Sequence, residues 1–377
     1  MEKAVAGAGE FSLAQIRGIL KDLFAPKPWI NWTDFLGSMI LGGAAFLLAL
    51  REPTHGTLFL TLYAASCVCF YRAVLFTHEL AHIRAGTFRA FRVTWNLLCG
   101  IPFLIPTFTY YTHVDHHMRS HYGTAHDGEY IPFESRRPLA MALYLLQPFV
   151  IPLLAVARFL LLTPLCWISP RLRRWAHAHA SSMVMEPTYI RPVPTAKTLR
   201  IFRAQETACF LLLLGGAIRL GLGKLPIGFL VQCYFTSVGV LLLNNVRTLG
   251  AHRYVSGGKE MTFVEQLLDS LTYAKFSLFT PLWAPVGLRY HALHHLCPSL
   301  PYHNMGEAHR RLMEQLPADS PYRRTISPGL LSSIRDLWRR SAAVSQAGRP
   351  WDAPADEQRP SAHDGPKRGA MAIGAAE

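Results

Sequence analysis

Long apolar stretches alternate with short polar segments along most of the chain. Residues 35–50 carry no charge, and a second apolar stretch at 56–76 follows after a tight connection. Residues 207–218 and 225–246 form a similar pair, joined by a short Gly-rich turn. Because a helix of about 20 apolar residues spans the bilayer core, each pair is predicted to be a membrane-spanning hairpin. The pattern therefore predicts an all-α integral membrane protein with about four transmembrane helices.

Two further apolar segments do not fit a simple spanning helix. Residues 95–111 are broken by one glycine and two prolines, which predicts an interfacial or re-entrant segment. Residues 138–157 carry no charge and are long enough to span, although two internal prolines interrupt them. Arg158 separates them from another apolar piece. The segment could be a hairpin or lie in the membrane plane, so the number of spans in 138–170 stays open.

The two ends of the chain differ from the membrane region. Near the N-terminus, apolar residues recur at helical spacing with charged residues between them, which predicts an amphipathic helix. This helix could lie on the membrane surface or pack against the main domain. Beyond about residue 341 the chain is rich in Ala, Pro, Gly and charge, with little to bury. We expect an N-terminal cytosolic segment at 1–30, a membrane domain at 31–335 and a disordered tail at 336–377.

Composition and charge support the membrane interpretation. Hydrophobic residues make up 50% of the chain and charged residues 16%, whereas charged residues form about a quarter of a typical soluble domain. The net charge of +14 could indicate a nucleic-acid partner or basic cytosolic loops. The apolar stretches favour basic loops, so we expect a bilayer and no nucleic acid as partner. Basic residues flank the predicted hairpins on one side, which the positive-inside rule assigns to the cytosol together with both termini.

Histidines supply the strongest chemical signal. The chain has 17 histidines, and eight of them fall into three short clusters beside apolar segments. The clusters are His78 with His82, then His113 with His116 and His117, and finally His291 with His294 and His295. In a helix, residues at i, i+3 and i+4 lie on one face, so each cluster presents its imidazoles together. All three clusters fall on the predicted cytosolic side.

The number of histidines bears on the number and identity of metal ions. Imidazole binds zinc, iron, copper and nickel, but zinc takes three or four protein ligands. Eight clustered histidines are too many for one ion and suit two ions with open coordination positions. Redox-active iron fits this count, so a non-haem di-iron site is predicted. His252, shortly after the last predicted span, is a ninth candidate ligand.

Polar residues near the clusters are candidates for a supporting role. Glu79 and Asp115 lie inside the clusters, and ligating histidines usually donate their second ring N–H to a carboxylate or carbonyl. We therefore expect both carboxylates to orient the ligands. Asn245 lies in an otherwise apolar helix. Its amide is expected either to hold a metal-bound water or the substrate, or to bond a neighbouring helix.

The first cluster also matches a zinc-protease pattern. Residues 78–82 have the sequence HELAH, and in HExxH proteases the histidines bind zinc while the glutamate acts as general base. Such an enzyme needs one further ligand and gives no reason for two HxxHH clusters. A membrane metalloprotease is therefore a distant alternative.

With these residues the chain resembles the membrane fatty-acid desaturase superfamily, and in particular its bacterial branch. That superfamily shares an HxxxH box, an HxxHH box, a gap that contains two spans, and a third HxxHH box. The resemblance covers roughly residues 35–325 and is detailed at 282–312, LWAPVGLRYHALHHLCPSLPYHNMGEAHRRL. It implies a four-span helical base capped by a cytosolic helical domain that holds the di-iron site.

The resemblance implies a class of reaction and leaves the outcome open. Family members use O₂ and two externally supplied electrons to oxidise an unactivated C–H bond of an acyl chain. Desaturation of a fatty acid or acyl lipid is the primary expectation. Hydroxylation, or oxidative decarboxylation of a free fatty acid to a terminal alkene, would use the same scaffold. A free acid would need a cationic anchor near the iron, for which Arg247, Arg253 and Arg289 are candidates.

No fused electron donor is visible in the sequence. There is no cytochrome-b5-like His-Pro-Gly-Gly, and the seven cysteines include no set suited to an iron–sulfur cluster. We therefore expect a separate ferredoxin or rubredoxin with its reductase, docking on the cytosolic face of a bacterial inner membrane. The basic loop at 171–203 would suit an acidic donor, although ordinary positive-inside bias explains the same charges.

Overall fold

The computed structural model describes residues 12–84, 86–275 and 279–346, which form an all-helical protein. Within these ranges no β-strand occurs, and extended pairing is confined to isolated bridges such as that between His252 and Ser270. The helices are α1 (Leu13–Leu20), α2 (Pro28–Ala49), α3 (Thr57–His82), α4 (Arg89–Trp95), α5 (His113–His116), α6 (Pro138–Phe149), α7 (Ile151–Ile168), α8 (Pro170–His179), α9 (Ala196–Gly221), α10 (Ile227–Leu249), α11 (Phe263–Asp269), α12 (Thr280–Trp283), α13 (His291–Leu296), α14 (Met305–Gln315) and α15 (Leu330–Gln346). The predicted all-α class is confirmed.

Five helices, α2, α3, α7, α9 and α10, are long and apolar enough to cross a membrane. The first predicted hairpin corresponds to α2 and α3, and the second corresponds to α9 and α10. Their outward faces carry exposed apolar side chains such as Ile40, Leu58 and Leu211. A continuous exposed apolar surface of this kind is suited to contact with lipid. The two predicted hairpins are therefore present, and α7 is an additional membrane helix.

Residues 138–168, whose path the sequence left open, form the two helices α6 and α7. Arg136 and Glu186 flank this segment and form an ion pair at 2.6 Å. Between them, two side chains of α10, Asn245 and Tyr234, donate hydrogen bonds at 2.8 Å to carbonyls of α6. Because Tyr234 lies deeper along α10 than Asn245, α6 descends into the membrane beside α10. The chain continues through α7, where Trp167 packs against Phe210 of α9 with ring centroids 5.1 Å apart, so α6 and α7 lie beside the second hairpin.

Glycine permits close approach of the spanning helices at two positions. A Cβ at Gly42 of α2 would lie 2.9 Å from the Phe70 ring of α3. A Cβ at Gly239 of α10 would lie 2.7 Å from Sγ of Cys67, which also belongs to α3. Small residues let helix backbones approach closely in membranes, where van der Waals packing drives association. The helix that carries the first histidine cluster is therefore held closely between α2 and α10.

We expect Gly42→Ala to destabilise the protein and Gly43→Ala to leave it as stable as before or more so. The added methyl group at Gly42 would meet Phe70 at 2.9 Å and Cys69 at 3.1 Å, and overpacking costs about 1–3 kcal/mol. Gly43 faces open space, so alanine there adds only helix propensity. Thermal unfolding of the detergent-purified protein should show a lowered midpoint for Gly42→Ala alone. Equal midpoints would mean that the α2–α3 contact accommodates the methyl group.

The N-terminal helix packs against the region that follows the last span. Ile16 and Leu20 of α1 are fully buried in one apolar cluster with Leu293 and Leu312. Burial of these two side chains removes the apolar face that a membrane-surface helix would offer to lipid. Of the two predicted positions for α1, the structure therefore favours packing on the main domain.

The C-terminal boundary differs from the prediction. The tail was expected to begin at residue 336, but this position falls inside α15, Leu330–Gln346. Leu337 of α15 is buried in a cluster with Tyr254 and Met141. One side of α15 is therefore apolar and packed, although the composition of the expected tail as a whole is polar. The rest of the expected tail, residues 347–377, lies outside the described residues.

Candidate metal centre

The histidine clusters meet where the membrane helices end. His78 and His82 occupy the last turns of α3, and their i, i+4 spacing brings the ring centroids to 5.3 Å. The second cluster forms the short helix α5, and the third begins α13. His252 follows the end of α10 by three residues and is 3% exposed. Elements from four separate parts of the chain therefore supply one compact set of imidazoles.

Nine imidazoles fall into two groups. Group A contains His78, His82, His113, His117 and His294, and group B contains His116, His252, His291 and His295. Within each group the candidate ligand nitrogens all lie within 4.8 Å of one another. All eight clustered histidines and the ninth candidate from the sequence are therefore brought together.

Each HxxHH cluster contributes to both groups. In the second cluster, His113 and His117 at positions i and i+4 belong to group A, whereas His116 at i+3 belongs to group B. The arrangement is reversed in α13, where the i and i+4 residues belong to group B and His294 belongs to group A. The rings of His117 and His295 lie 4.4 Å apart across the boundary. The two groups therefore lie side by side and share two supporting helices.

Ring nitrogens approach one another closely inside both groups. Nε2 of His117 lies 3.1 Å from Nε2 of His113 and from Nε2 of His294. In group B, Nε2 of His291 lies 2.9 Å from Nε2 of His252. Where Nδ1 carries the proton, Nε2 holds a lone pair, and facing lone pairs repel unless a cation lies between them. The Nε2 atoms of both α3 histidines are buried without a partner in the described structure, so the donor set fits bound metal.

Two carboxylates fix the orientation of α5 histidines from outside the groups. Glu129 Oε2 lies 2.9 Å from Nδ1 of His113, and Asp127 Oδ2 lies 2.8 Å from Nδ1 of His116. An ionised carboxylate can only accept, so in that state each one holds the proton on Nδ1. Each Nε2 then presents its lone pair to the centre, which is the common second contact of metal-binding histidines.

His252 is oriented through a tyrosine. Tyr122 Oη lies 2.8 Å from Nδ1 of His252 and donates to Oδ2 of Asp269 at 2.7 Å. Burial alone would raise the pKa of Asp269, but hydrogen bonds with His252 and Tyr122 bring it below its ordinary value. Asp269 therefore stays ionised, and the Tyr122–Asp269 pair fixes the ring of His252 in group B.

Burial keeps most of the imidazoles outside the spans neutral. It lowers the pKa of His117, His294 and His295 well below the ordinary histidine value, and the neighbouring histidines lower it further. A neutral imidazole keeps the lone pair that binds metal. His116 differs because Asp127 and other nearby carboxylates outweigh the effect of burial and raise its pKa.

The polar residues predicted to support the ligands have other contacts. Glu79 Oε1 accepts from the backbone N–H of Tyr302 at 3.4 Å, and Asp115 accepts from the Tyr189 hydroxyl at 3.3 Å. Residues at i+1 and i+2 from a ligand lie off its helical face, so neither carboxylate reaches the adjacent rings. This placement differs from the predicted orienting role. Asn245 bonds a carbonyl of α6, which is the helix–helix contact that the sequence left as an alternative.

The three candidate substrate anchors occupy different environments. Arg253 and Arg289 donate to backbone carbonyls. Arg247 is buried near the end of α10, where Nη2 donates to the Asn244 side chain at 3.1 Å. Burial is the main cause of the lowered pKa of His291, and the positive charge of Arg247 contributes to it. Arg247 is therefore the candidate that shares the electrostatic environment of the metal groups.

Helical periodicity did not reveal the residues that orient the ligands. Asp127 and Glu129 lie in a turn that follows the second cluster, and Asp269 ends α11. For Asp127 and Glu129 the sequence did contain a signal, because an Asp-Gly-Glu sequence soon after a histidine cluster offers carboxylates near the ligands. Asp269 and Tyr122 meet His252 only through tertiary contacts, and no local pattern marks them.

Helices of membrane-spanning length, with two groups of buried imidazoles where they end, are features expected of a membrane metalloenzyme. The fatty acid desaturase family model matches residues 52–327, so the chain belongs to that family. The chain is 39% identical to the ceramide hydroxylase of Caulobacter vibrioides (strain NA1000 / CB15N) over 337 residues, which cover 88% of this chain and 95% of that relative. No solved structure matches the chain.

Family membership decides between the enzyme classes that the sequence left open. The protein is an oxidoreductase of the desaturase type that acts on acyl chains. The metalloprotease alternative for residues 78–82 is wrong, since these histidines share group A with three further imidazoles. The glutamate of that pattern accepts from a backbone N–H instead of facing the metal groups.

Proposed function

We propose that this protein is a di-iron hydroxylase that inserts one oxygen atom of O₂ into a C–H bond of a ceramide-like acyl lipid. The observation that carries this proposal is the similarity over nearly the full length of both chains to a ceramide hydroxylase. Desaturation, the primary expectation from the sequence, is the second candidate because the matching family model is that of fatty acid desaturases. Decarboxylation has no comparable support.

Two iron ions suit the nitrogen donors of groups A and B. Group A offers five imidazoles and group B offers four, and the proposed ligands are these nine histidines. Imidazole is a common iron ligand, and four or five nitrogens per ion leave coordination positions open. Bound iron supplies the oxidising power that protein side chains lack. The chain contributes orientation through Asp127 and Glu129, and burial that excludes water from the site.

The reaction requires an outside source of electrons. Hydroxylation consumes O₂, two electrons and two protons, and it delivers one oxygen atom to the lipid and the other to water. We propose a separate ferredoxin or rubredoxin with its reductase as the donor, on the cytosolic face of the inner membrane. Four exposed arginines, Arg171, Arg174, Arg200 and Arg203, lie on the segment that would meet an acidic donor.

Mass spectrometry of the reaction product tests the proposal directly. Purified protein loaded with iron is supplied with ¹⁸O₂, a ferredoxin–reductase system and N-hexadecanoyl-sphinganine. We expect the lipid to gain one labelled oxygen atom, and metal analysis to find about two iron per chain, one for each nitrogen group. Loss of two hydrogens without oxygen would establish the desaturase instead. One zinc per chain and no iron would contradict both.

A further inference from the structure

Three of the nine grouped imidazoles are partly exposed, and each is the last histidine of its cluster. They are His82, His117 and His295, whereas the other six rings are buried. The ring centroids of His82 and His117 lie 4.5 Å apart, and those of His117 and His295 lie 4.4 Å apart. These neighbouring rings form one surface, which we call the histidine face. Through it both nitrogen groups reach the outside of the protein.

The exposed parts of these rings are not their metal-facing atoms. Nε2 of His82 is buried, and so is Nδ1 of His117. Nε2 of His117 lies 3.1 Å from Nε2 of His113, and Nε2 of His295 lies 3.2 Å from Nε2 of His291. A molecule that rests on the histidine face therefore contacts the outer edges of the rings and leaves their metal-facing nitrogens covered. Such contact suits the transfer of electrons through the rings and does not suit the entry of a substrate.

Exposed polar residues border the histidine face. Arg84, Arg119 and Ser299 follow the last histidine of the first, second and third cluster within four residues, and all three are exposed. The spanning helices differ, because their exposed side chains include apolar residues such as Leu58. A polar, solvent-accessible rim is typical of a surface that binds another protein. The histidine face is therefore suited to a water-soluble partner.

A shallow depression beside His117 provides space for such a partner. It has a volume of about 370 Å³ and is lined by Met118, Arg119, Ser120 and Glu260. Gln266 of α11 donates to the backbone carbonyl of Arg119 at 3.0 Å, which holds this loop against the domain. Met118 is 46% exposed, and the flexible side chain of methionine adapts to the shape of a binding partner.

We propose that the histidine face is the docking surface of the electron donor, a small acidic iron–sulfur protein that contacts Met118 and Arg119. The exposed charges at its border, Arg84 and Arg119 against Glu260, favour a negatively charged partner. The inference rests on the proposed function only for the need of two electrons per O₂. A donor with one [2Fe–2S] cluster is oxidised by one electron at a time. Two docking events therefore deliver one electron to the iron of each nitrogen group, and no atom passes between the proteins.

The histidine face adjoins the basic segment at 171–203. The Tyr189 hydroxyl of that segment donates to Asp115 at 3.3 Å, and His121 lies 3.6 Å from the same carboxylate. The basic segment therefore packs beside residues 115–121, which include the depression next to the second cluster. A donor on the histidine face has the arginines of this segment at its side, while its electron enters through the histidine rings.

Arginine labelling of the wild-type protein locates the docking surface without any variant. Iron-loaded protein is treated with phenylglyoxal, with and without the acidic [2Fe–2S] ferredoxin of the product assay, and labelled peptides are quantified by mass spectrometry. We expect ferredoxin to protect Arg84 and Arg119 and to leave Arg51 reactive. All three are exposed, but Arg51 lies at the other end of α3, a helix of 26 residues that is about 39 Å long.

Protection confined to the segment 171–203, or no protection at all, would overturn the inference. Neither result bears on whether the lipid is hydroxylated or desaturated, since desaturation also consumes two electrons per O₂. Conversely, a product that has lost two hydrogens would refute the proposed hydroxylase and leave the docking surface in place.

Charge reversal tests the contact through the rate of association. We expect Arg119→Glu to slow ferredoxin association by about tenfold at low ionic strength, because complementary charge steers the encounter. High salt should remove most of this difference by screening. Arg51→Glu is the matched control, since it changes the net charge equally at the far end of α3, and it should associate as the wild type does. Stopped-flow mixing measures the rates, and iron content on the same samples verifies that groups A and B are intact. Equal rates for the two variants would overturn the inference.

Discussion

Replacement of His113 by alanine is expected to abolish lipid oxidation and to lower bound iron from about two ions per chain to one or fewer, since two nitrogen groups are present. His113 is one of five imidazoles in group A, and it connects that group to Glu129. Its loss removes a ligand and leaves the buried Glu129 side chain without its ring partner. The resulting loss of free energy is larger than that of the missing hydrogen bond alone. Metal analysis and product formation on the same purified sample measure both effects.

His121→Ala is the matched control for His113→Ala. His121 lies four residues beyond the second cluster, 3.6 Å from Asp115, and belongs to neither nitrogen group. This variant should keep both iron ions and its activity. If His113→Ala retained the full iron content and rate, the assignment of group A as a metal site would be wrong.

Helical periodicity was sufficient to predict which histidines meet. The spacing i, i+3, i+4 places three rings on one face of a single turn, and that geometry depends only on the backbone of a helix. The positions of the apolar spans then set each cluster at the same membrane depth. His252 could be added because it follows the last span by a few residues. These inferences needed no knowledge of tertiary packing, and the structure brings all nine rings together.

The division of the rings into two groups and the choice of their supporting carboxylates depend on tertiary contacts. Asp127 and Glu129 follow a turn at Gly123, whose φ of +70° is accessible mainly to glycine and whose N–H donates to Asp127. A Cβ at Gly123 would lie 2.6 Å from the Ser256 side chain, which is distant in sequence. Proximity in sequence favoured Glu79 and Asp115 instead, although their helical positions direct them away from the rings.

We expect Asp127→Asn to lower metal affinity by about 10–100-fold, the usual effect of removing a partner that orients a ligating histidine. Asp127 Oδ2 lies 2.8 Å from Nδ1 of His116 and accepts from the Gly123 N–H at 2.9 Å. Its Oδ1 accepts from the Glu129 N–H at 2.9 Å. Asparagine has a single acceptor oxygen, so at least one of these donors loses its bond. Competition with a chelator of known affinity measures the change.

Asp115→Asn tests which carboxylate orients His116. The contacts in the structure assign this role to Asp127, whereas proximity in sequence suggested Asp115. Asp115 lies beside His116 in the chain, yet its carboxylate faces Tyr189, and asparagine can still accept that hydrogen bond. Chelator competition should therefore give the wild-type metal affinity for Asp115→Asn and a weakened affinity for Asp127→Asn. The opposite order would return the orienting role to the carboxylate inside the cluster. Both changes remove one negative charge near the same helix, so a general electrostatic effect would lower the metal affinity of the two variants equally. A difference in metal affinity between them therefore reports the specific contact with His116 Nδ1.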